Sequence, residues 1–266
     1  MANNIEATSL VQRNFPEHPL LGGCSKTLRI IGQFVPTFIL VLSGLIGNQA
    51  WAQAGKDLVK VQGSRAINPV LPYEALLAGK SGSAAINFTV GTDGRAILLS
   101  TEKATDRAFA MALQADIEAI EFIPPRRNGQ PQMTMTRESF EFPAQPALDP
   151  IAKEILNELR KPTPAFTPVG ELDTKPEAIR QPPPAYPWVL RGDAVSGEAV
   201  IEFVVDRNGH TLFPRIVSST HEDFGWAAAT AVLRWRYKPP TKGGVRVDTR
   251  VTATIVFDIK KAGEMW

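Results

Sequence analysis

Cysteine is almost absent from this chain: Cys24 is the only one in 266 residues. It lies upstream of the region expected to persist in the mature protein, so no disulfide, thiolate metal site or cysteine nucleophile is available downstream. Leu21-Gly22-Gly23-Cys24 has the form of a lipoprotein processing site, but there the apolar stretch should come first, and here it follows. Histidine is nearly as scarce. His210 and His221 are the only two beyond His18, too few to hold a metal by themselves. An excess of one charge is missing too. With 29 basic against 27 acidic side chains, nothing electrostatic points to a nucleic-acid partner. No nucleophile–base pattern, phosphate loop or paired-carboxylate site stands out, so no enzyme, cofactor or metal is expected. Asp206 and Asn208 share calcium-loop spacing over three residues, which a hairpin turn explains, and Arg191-Gly192-Asp193 is a chance three-letter match to an adhesion motif.

Long apolar runs are likewise lacking, with one exception. Lys26 and Arg29 precede a run from Ile30 to Gly47, and Ala50-Trp51-Ala52 and Ala52-Gln53-Ala54 follow with small residues at alternate positions. A basic flank, a short apolar core and a small-residue exit describe a secretory signal peptide, cleaved after Ala52 or Ala54. The alternative is an uncleaved anchor, because about 18 apolar residues can just cross a bilayer. Either way, the chain from Gln53 onward is expected outside the cytoplasm: a periplasmic protein in the first case, a single-pass inner-membrane protein with a periplasmic C-terminus in the second.

What is present is a repeat. Ser81–Val90 aligns without a gap with Ser196–Val205, 115 positions later, and the same offset carries Gly94 onto Gly209, Phe109 onto Phe224, Pro124-Pro125 onto Pro239-Pro240 and Phe142 onto Phe257. Turn glycines, core aromatics and a proline pair held in register imply two copies of one module. The resulting division is 1–52 for the N-terminal extension and signal or anchor, 67–143 for a divergent first module, 144–181 for a proline-rich linker, and 182–260 for the second module. Within the linker, Asp149 suits a helix cap and Pro150 a first helical position. Ile151, Ile155, Leu156 and Leu159 share one face, so a short helix is expected there, docked on a neighbouring module.

The second module reads as strand, strand, helix, strand. Ala199, Ile201, Phe203 and Val205 alternate with polar neighbours, and Asp206-Arg207-Asn208-Gly209 is a hairpin turn in which Asn-Gly supplies positive φ. Asp223 is placed to cap a helix with a Phe224, Ala227, Ala228, Ala231, Trp235 stripe, Trp235 reaching a carbonyl through its indole N–H. From Val245 to Phe257 one long strand is expected, with odd-numbered residues on its apolar face. The fold class is therefore α+β: two tandem three-stranded antiparallel sheets, each with one helix on its face.

Tyr186-Pro187, Gly197 before the first strand, Gly209, Ser218-Ser219, the helix from Phe224, Trp235-Arg236-Tyr237-Lys238-Pro239 and the strand ending in Phe257 resemble the C-terminal domain of the TonB family over residues 182–259. The resemblance implies a non-enzymatic protein–protein interaction module of the Gram-negative cell envelope. Such modules dock an extended segment of an outer-membrane transporter, or of another envelope partner, by strand addition. It assigns that surface to Gln181, Tyr186 and Pro187 with Arg246, Asp248, Arg250 and Thr252. Proline at Val251 should then remove an edge donor. Two other roles stay open: an anchored energy transducer for transmembrane transport, although Ile30–Gly47 lacks the histidine that family anchors carry, and a structural module that binds the cell wall or pairs into a homodimer.

Overall fold

The computed structural model describes residues 61–258; the apolar run, both expected cleavage points and Cys24 lie outside the described residues. The first half begins with β1 (Gln62–Gly63) and a short helix α1 (Tyr73–Leu77), followed by β2 (Gly82–Val90), β3 (Ala96–Ala104) and α2 (Arg107–Glu118). The short strands β4 (Phe122–Ile123), β5 (Arg126–Arg127) and β6 (Gln130–Pro131) lead into β7 (Thr134–Phe142). Strands order β3-β2-β7, all antiparallel, and α2 covers one face. Asp106 caps α2 by accepting from the Ala108 amide at 2.9 Å. Ile86, Phe88, Phe109, Leu113, Ile117 and Phe142 close the core between helix and sheet.

After the linker helix α3 (Pro150–Leu159), the second half supplies β8 (Ala178–Arg180), β9 (Gly197–Val205), β10 (Thr211–Ser219), α4 (Glu222–Val232), β11 (Arg236–Tyr237), the hairpin β12–β13 (Thr241–Lys242, Val245–Arg246) and β14 (Thr249–Phe257). Its sheet is ordered β10-β9-β14, again antiparallel, with α4 on one face and Ile201, Phe203, Phe224 and Phe257 in the core. The chain is thus mixed α+β, built of small antiparallel sheets with helices packed on them. Individual hydrogen bonds recur at the 115-residue offset: Phe122 N–H to Gly94 O at 2.8 Å and Tyr237 N–H to Gly209 O at 2.9 Å, and Ser83 and Glu198 amides to Thr105 and Thr220 Oγ1, each at 3.0 Å.

Three local expectations need correction. The second-half helix starts with His221 at the cap position and no side-chain cap bond. Asp223 lies in the first turn beside Glu222, where the helix dipole favours acids. In the hairpin only Gly209 has positive φ, because the loop closes by the Gly209 N–H to Asp206 O and Asp206 N–H to His210 O bonds rather than through a two-residue turn. The long last strand is interrupted: Val245 and Arg246 turn away to pair with β12, the Val247 amide donates to Pro240 O, and the sheet strand starts at Thr249. Val245 is consequently exposed rather than on a buried face.

The linker helix forms where its cap residues place it, with Asp149 Oδ1 accepting from the Ala152 amide at 2.9 Å. Ala152, Ile155, Leu156 and Leu159 are its buried residues, Ala152 taking the place expected for Ile151. They pack with Val204 and Phe213 on the face of the second sheet opposite α4, together with Leu76 of α1. The described residues fall within one compact unit in which α2 and α4 lie against each other. Trp226 of α4 belongs to the first half's core, and Val70 from the first half joins the second core. Arg107 and Glu222, 115 residues apart, pair with each other across this junction at 2.8 Å.

Candidate functional site

In an antiparallel ladder each residue aims its amide and carbonyl at one neighbour only, so alternate residues serve alternate sides. Glu198 accepts from Thr220 and Asp206 donates to His210, so even-numbered residues of β9 serve β10 and odd-numbered ones serve β14. The register pairs Phe203 with Val251, Ile201 with Ala253 and Ala199 with Ile255. The amides of Val251, Ala253 and Ile255 are therefore committed inward. Those of Arg250, Thr252, Thr254 and Val256 point away from the sheet. Proline at Val251 would break the ladder rather than remove an edge donor, which corrects the expectation drawn from the sequence.

The linker occupies the start of this edge. The Thr167 amide donates to Asp248 O at 3.2 Å, Thr249 Oγ1 donates to Thr167 O at 2.6 Å, and Thr167 and Thr249 form a parallel bridge. Arg250 lies over the Phe166 ring at 5.2 Å and 3.8 Å from Glu202. Beyond that point no strand among the described residues pairs with β14 on the side away from β9. Thr252, Thr254 and Val256 present exposed side chains and outward amides, Val256 at 70% exposure.

The seven residues expected at the docking surface fall into two groups that the structure does not bring together. Arg246 is exposed on the β12–β13 hairpin, and Arg250 and Thr252 lie on β14. Asp248 is committed to Arg207, accepting from its backbone amide at 2.7 Å and from Nη2 at 2.7 Å. Hydrogen bonds to Asp248 and Glu154 hold the Arg207 guanidinium above its ordinary pKa, so Arg207 stays protonated. On the helix side of the sheet, Tyr186 is 3% exposed, its hydroxyl donating to Val195 O and Leu190 O and its ring meeting Phe224 and Phe257 edge-on. Burial raises its phenol pKa. Pro187 is buried beside it, and Gln181 Nε2 donates to the Tyr237 hydroxyl at 2.8 Å. Tyr186 and Pro187 are therefore framework, and their side chains offer a docking segment no surface. Trp235 Nε1 donates to Pro182 O at 3.1 Å.

Sequence reasoning omitted Thr254 and Val256, although strict alternation from Arg250 and Thr252 leads straight to them. Phe166 and Thr167 carried no local signal, since their role depends on where the linker returns. Among the described residues no group of three or more His, Cys, Asp or Glu side chains could hold a metal ion. No helix there is long and apolar enough to cross a membrane.

A free edge on a three-stranded sheet, backed by one helix and entered through a Tyr-Pro segment, can be compared with known proteins. Residues 182–259 match the Gram-negative bacterial TonB protein C-terminal family. Protein TonB of Pseudomonas aeruginosa is 27% identical over 100 residues, covering 37% of this chain and 29% of that relative's length. The solution NMR structure of the Pseudomonas aeruginosa TonB C-terminal domain aligns at 21% identity over 35% of this chain and 93% of its own, with a TM-score of 0.30. By the family match, residues 182–259 are similar to a TonB C-terminal domain, which fits a protein-interaction role.

Proposed function

We propose that this chain is a non-enzymatic binding protein of the Gram-negative envelope. Its TonB-like domain docks an extended segment of an outer-membrane transporter, or of another envelope protein, by strand addition along β14. The single observation that carries the reading is the row of outward amides at Thr252, Thr254 and Val256, with no strand beside them among the described residues. Main-chain bonds to such an edge give affinity that depends little on sequence, and alternate side chains give selectivity. The linker's Thr167 fixes where an added strand must stop. The matching hydrogen bonds at a 115-residue offset support reading the two halves as copies of one module, the second being the recognition copy. The apolar run Ile30–Gly47 would act as export signal or anchor and place both halves in the periplasm.

The test is calorimetric titration with a synthetic peptide carrying the transporter's extended segment. Thr254→Pro deletes an outward amide without touching the ladder to β9, an arrangement edge strands tolerate. Binding should be lost while the melting temperature stays within a few degrees. Unchanged affinity in Thr254→Pro would sink the proposed edge.

A further inference from the structure

The two sheets have equivalent open faces, and only one of them is covered. On the second sheet, α3 lies across Val204 and Phe213 with Leu212 alongside, and Arg207 reaches it through an ion pair with Glu154 at 2.9 Å. The positions 115 residues earlier are Thr89 for Val204, Leu98 for Phe213, Ile97 for Leu212 and Thr92 for Arg207. Met133 and Met135 stand at the positions of Asp248 and Arg250. Thr89 pairs with both Ile97 and Met135, so these side chains are neighbours across the sheet. Yet Leu98 is 61% exposed, Met133 57% and Met135 51%, whereas Phe213 is 8% exposed beneath α3.

Backbone strain points the same way. Leu98 and Phe213 are held at φ of 54° and 51°, a left-handed conformation that is unfavourable for a bulky residue. Both sit at a break in register between the first two strands of their sheets. At Phe213 the burial of the ring against α3 offsets that cost. At Leu98 the same strained backbone presents an aliphatic side chain to solvent, with nothing among the described residues to offset it.

We propose that the open face of the first sheet, centred on Leu98, Met133 and Met135, is a docking site for an amphipathic helix of a partner protein. The covered twin defines the occupant's chemistry: about three turns of helix with small and aliphatic residues in the pattern of Ala152, Ile155, Leu156 and Leu159. The cationic anchor differs. Where α3 meets Arg207, the first sheet offers Thr92, and methionines replace Asp248 and Arg250. The partner helix therefore needs no acidic residue at the position of Glu154, and the flexible methionines accept a range of aliphatic shapes. This site is on a sheet face and is independent of the strand-addition edge on β14.

The test uses the full chain with 13C-methyl-labelled methionine, of which there are five. The probe is a hydrocarbon-stapled peptide of residues 149–160 in which the residue equivalent to Glu154 is glutamine, which removes the contact to Arg207. Saturable shifts should appear at the Met133 and Met135 methyls but not at Met111, which is buried in the first core. Leu98→Glu and Met135→Glu, each at an exposed position, should weaken binding at least tenfold without altering the melting temperature. Unmoved Met133 and Met135 methyls at millimolar peptide would overturn the proposal. So would the same shifts appearing on raising protein concentration alone, with a dimer in sedimentation, because the face would then join two copies of this chain. Methyl shifts on addition of anionic lipid vesicles but not of peptide would overturn it in favour of a membrane contact.

Discussion

Gly209 and Gly244 both sit at positive φ, 84° and 74°, in neighbouring turns, but their surroundings differ. A Cβ on Gly209 would collide with the Tyr237 carbonyl, a backbone atom that cannot swing aside, whereas one on Gly244 would meet open space. Gly244→Ala should therefore cost only the left-handed penalty, about 1 kcal/mol. Gly209→Ala should cost several times as much, because the Tyr237 N–H to Gly209 O bond must shift as well. Urea unfolding of the two variants checks the contrast; equal losses would mean the turn can relax. Trp235 offers a second comparison at this scale. Phenylalanine there strands the Pro182 carbonyl and should cost about 1–2 kcal/mol in the same assay. The indole bond was legible in the sequence as a polar tip on a core residue. The burial of Tyr186 and Pro187 was not, because a motif shows that residues matter without showing whether they touch a partner or the core.

At the scale of elements, alternation and turn chemistry sufficed for the central strands, both sheet helices and α3, whose Asp-Pro start is local information. The break in the last strand escaped the pattern. Val245 and Val247 continue the apolar alternation, but the Asp248–Arg207 pair and the Thr167 bridge fix the chain there, and these partners lie 41 and 82 residues away. The ladder assignment predicts opposite results from adjacent prolines. Thr254→Pro should leave stability nearly unchanged, whereas Ala253→Pro removes a bond to Ile201 in the middle of the sheet and should cost about 3 kcal/mol or more. Chemical denaturation of the pair tests it, and similar losses in both would mean the side assignment is reversed. For α3, Ile155→Ala should cost about 2–4 kcal/mol, because Ile155 is fully enclosed between helix and sheet.

At the scale of the molecule, the spacing of matched residues suggested two copies of one module, but it carried no signal for how the two halves meet. Nothing local says that Trp226 should enter the other half's core. Because it does, Trp226→Ala should destabilise both halves together, and calorimetry should show one transition for the described region rather than two. The junction also carries a proton-linked element. The Glu118 carboxyl accepts from the Trp188 amide at 3.0 Å, and burial, helped by the nearby Asp223 charge, pushes its pKa up to about 7 against the Trp188 bond and Arg191. A carboxyl with a raised folded pKa favours folding when protonated. Its contribution is complete below about pH 4.5 and is lost as pH rises toward 7. Asp223, also raised by burial, acts in the same direction. Glu118→Gln should therefore gain on the order of 1–3 kcal/mol over the natural protein at pH 8 and little at pH 4.5. Parallel pH profiles for the two proteins would remove Glu118 from this role.

The nine-residue ladder between β14 and β9 has a mechanical consequence. A segment lying along β14 and pulled lengthwise would load every rung of that ladder at once, in shear. A pull perpendicular to the strand would open the rungs one after another, like a zipper. Resistance to tension should accordingly be strongly directional, with the sheet withstanding far more force along its strands than across them.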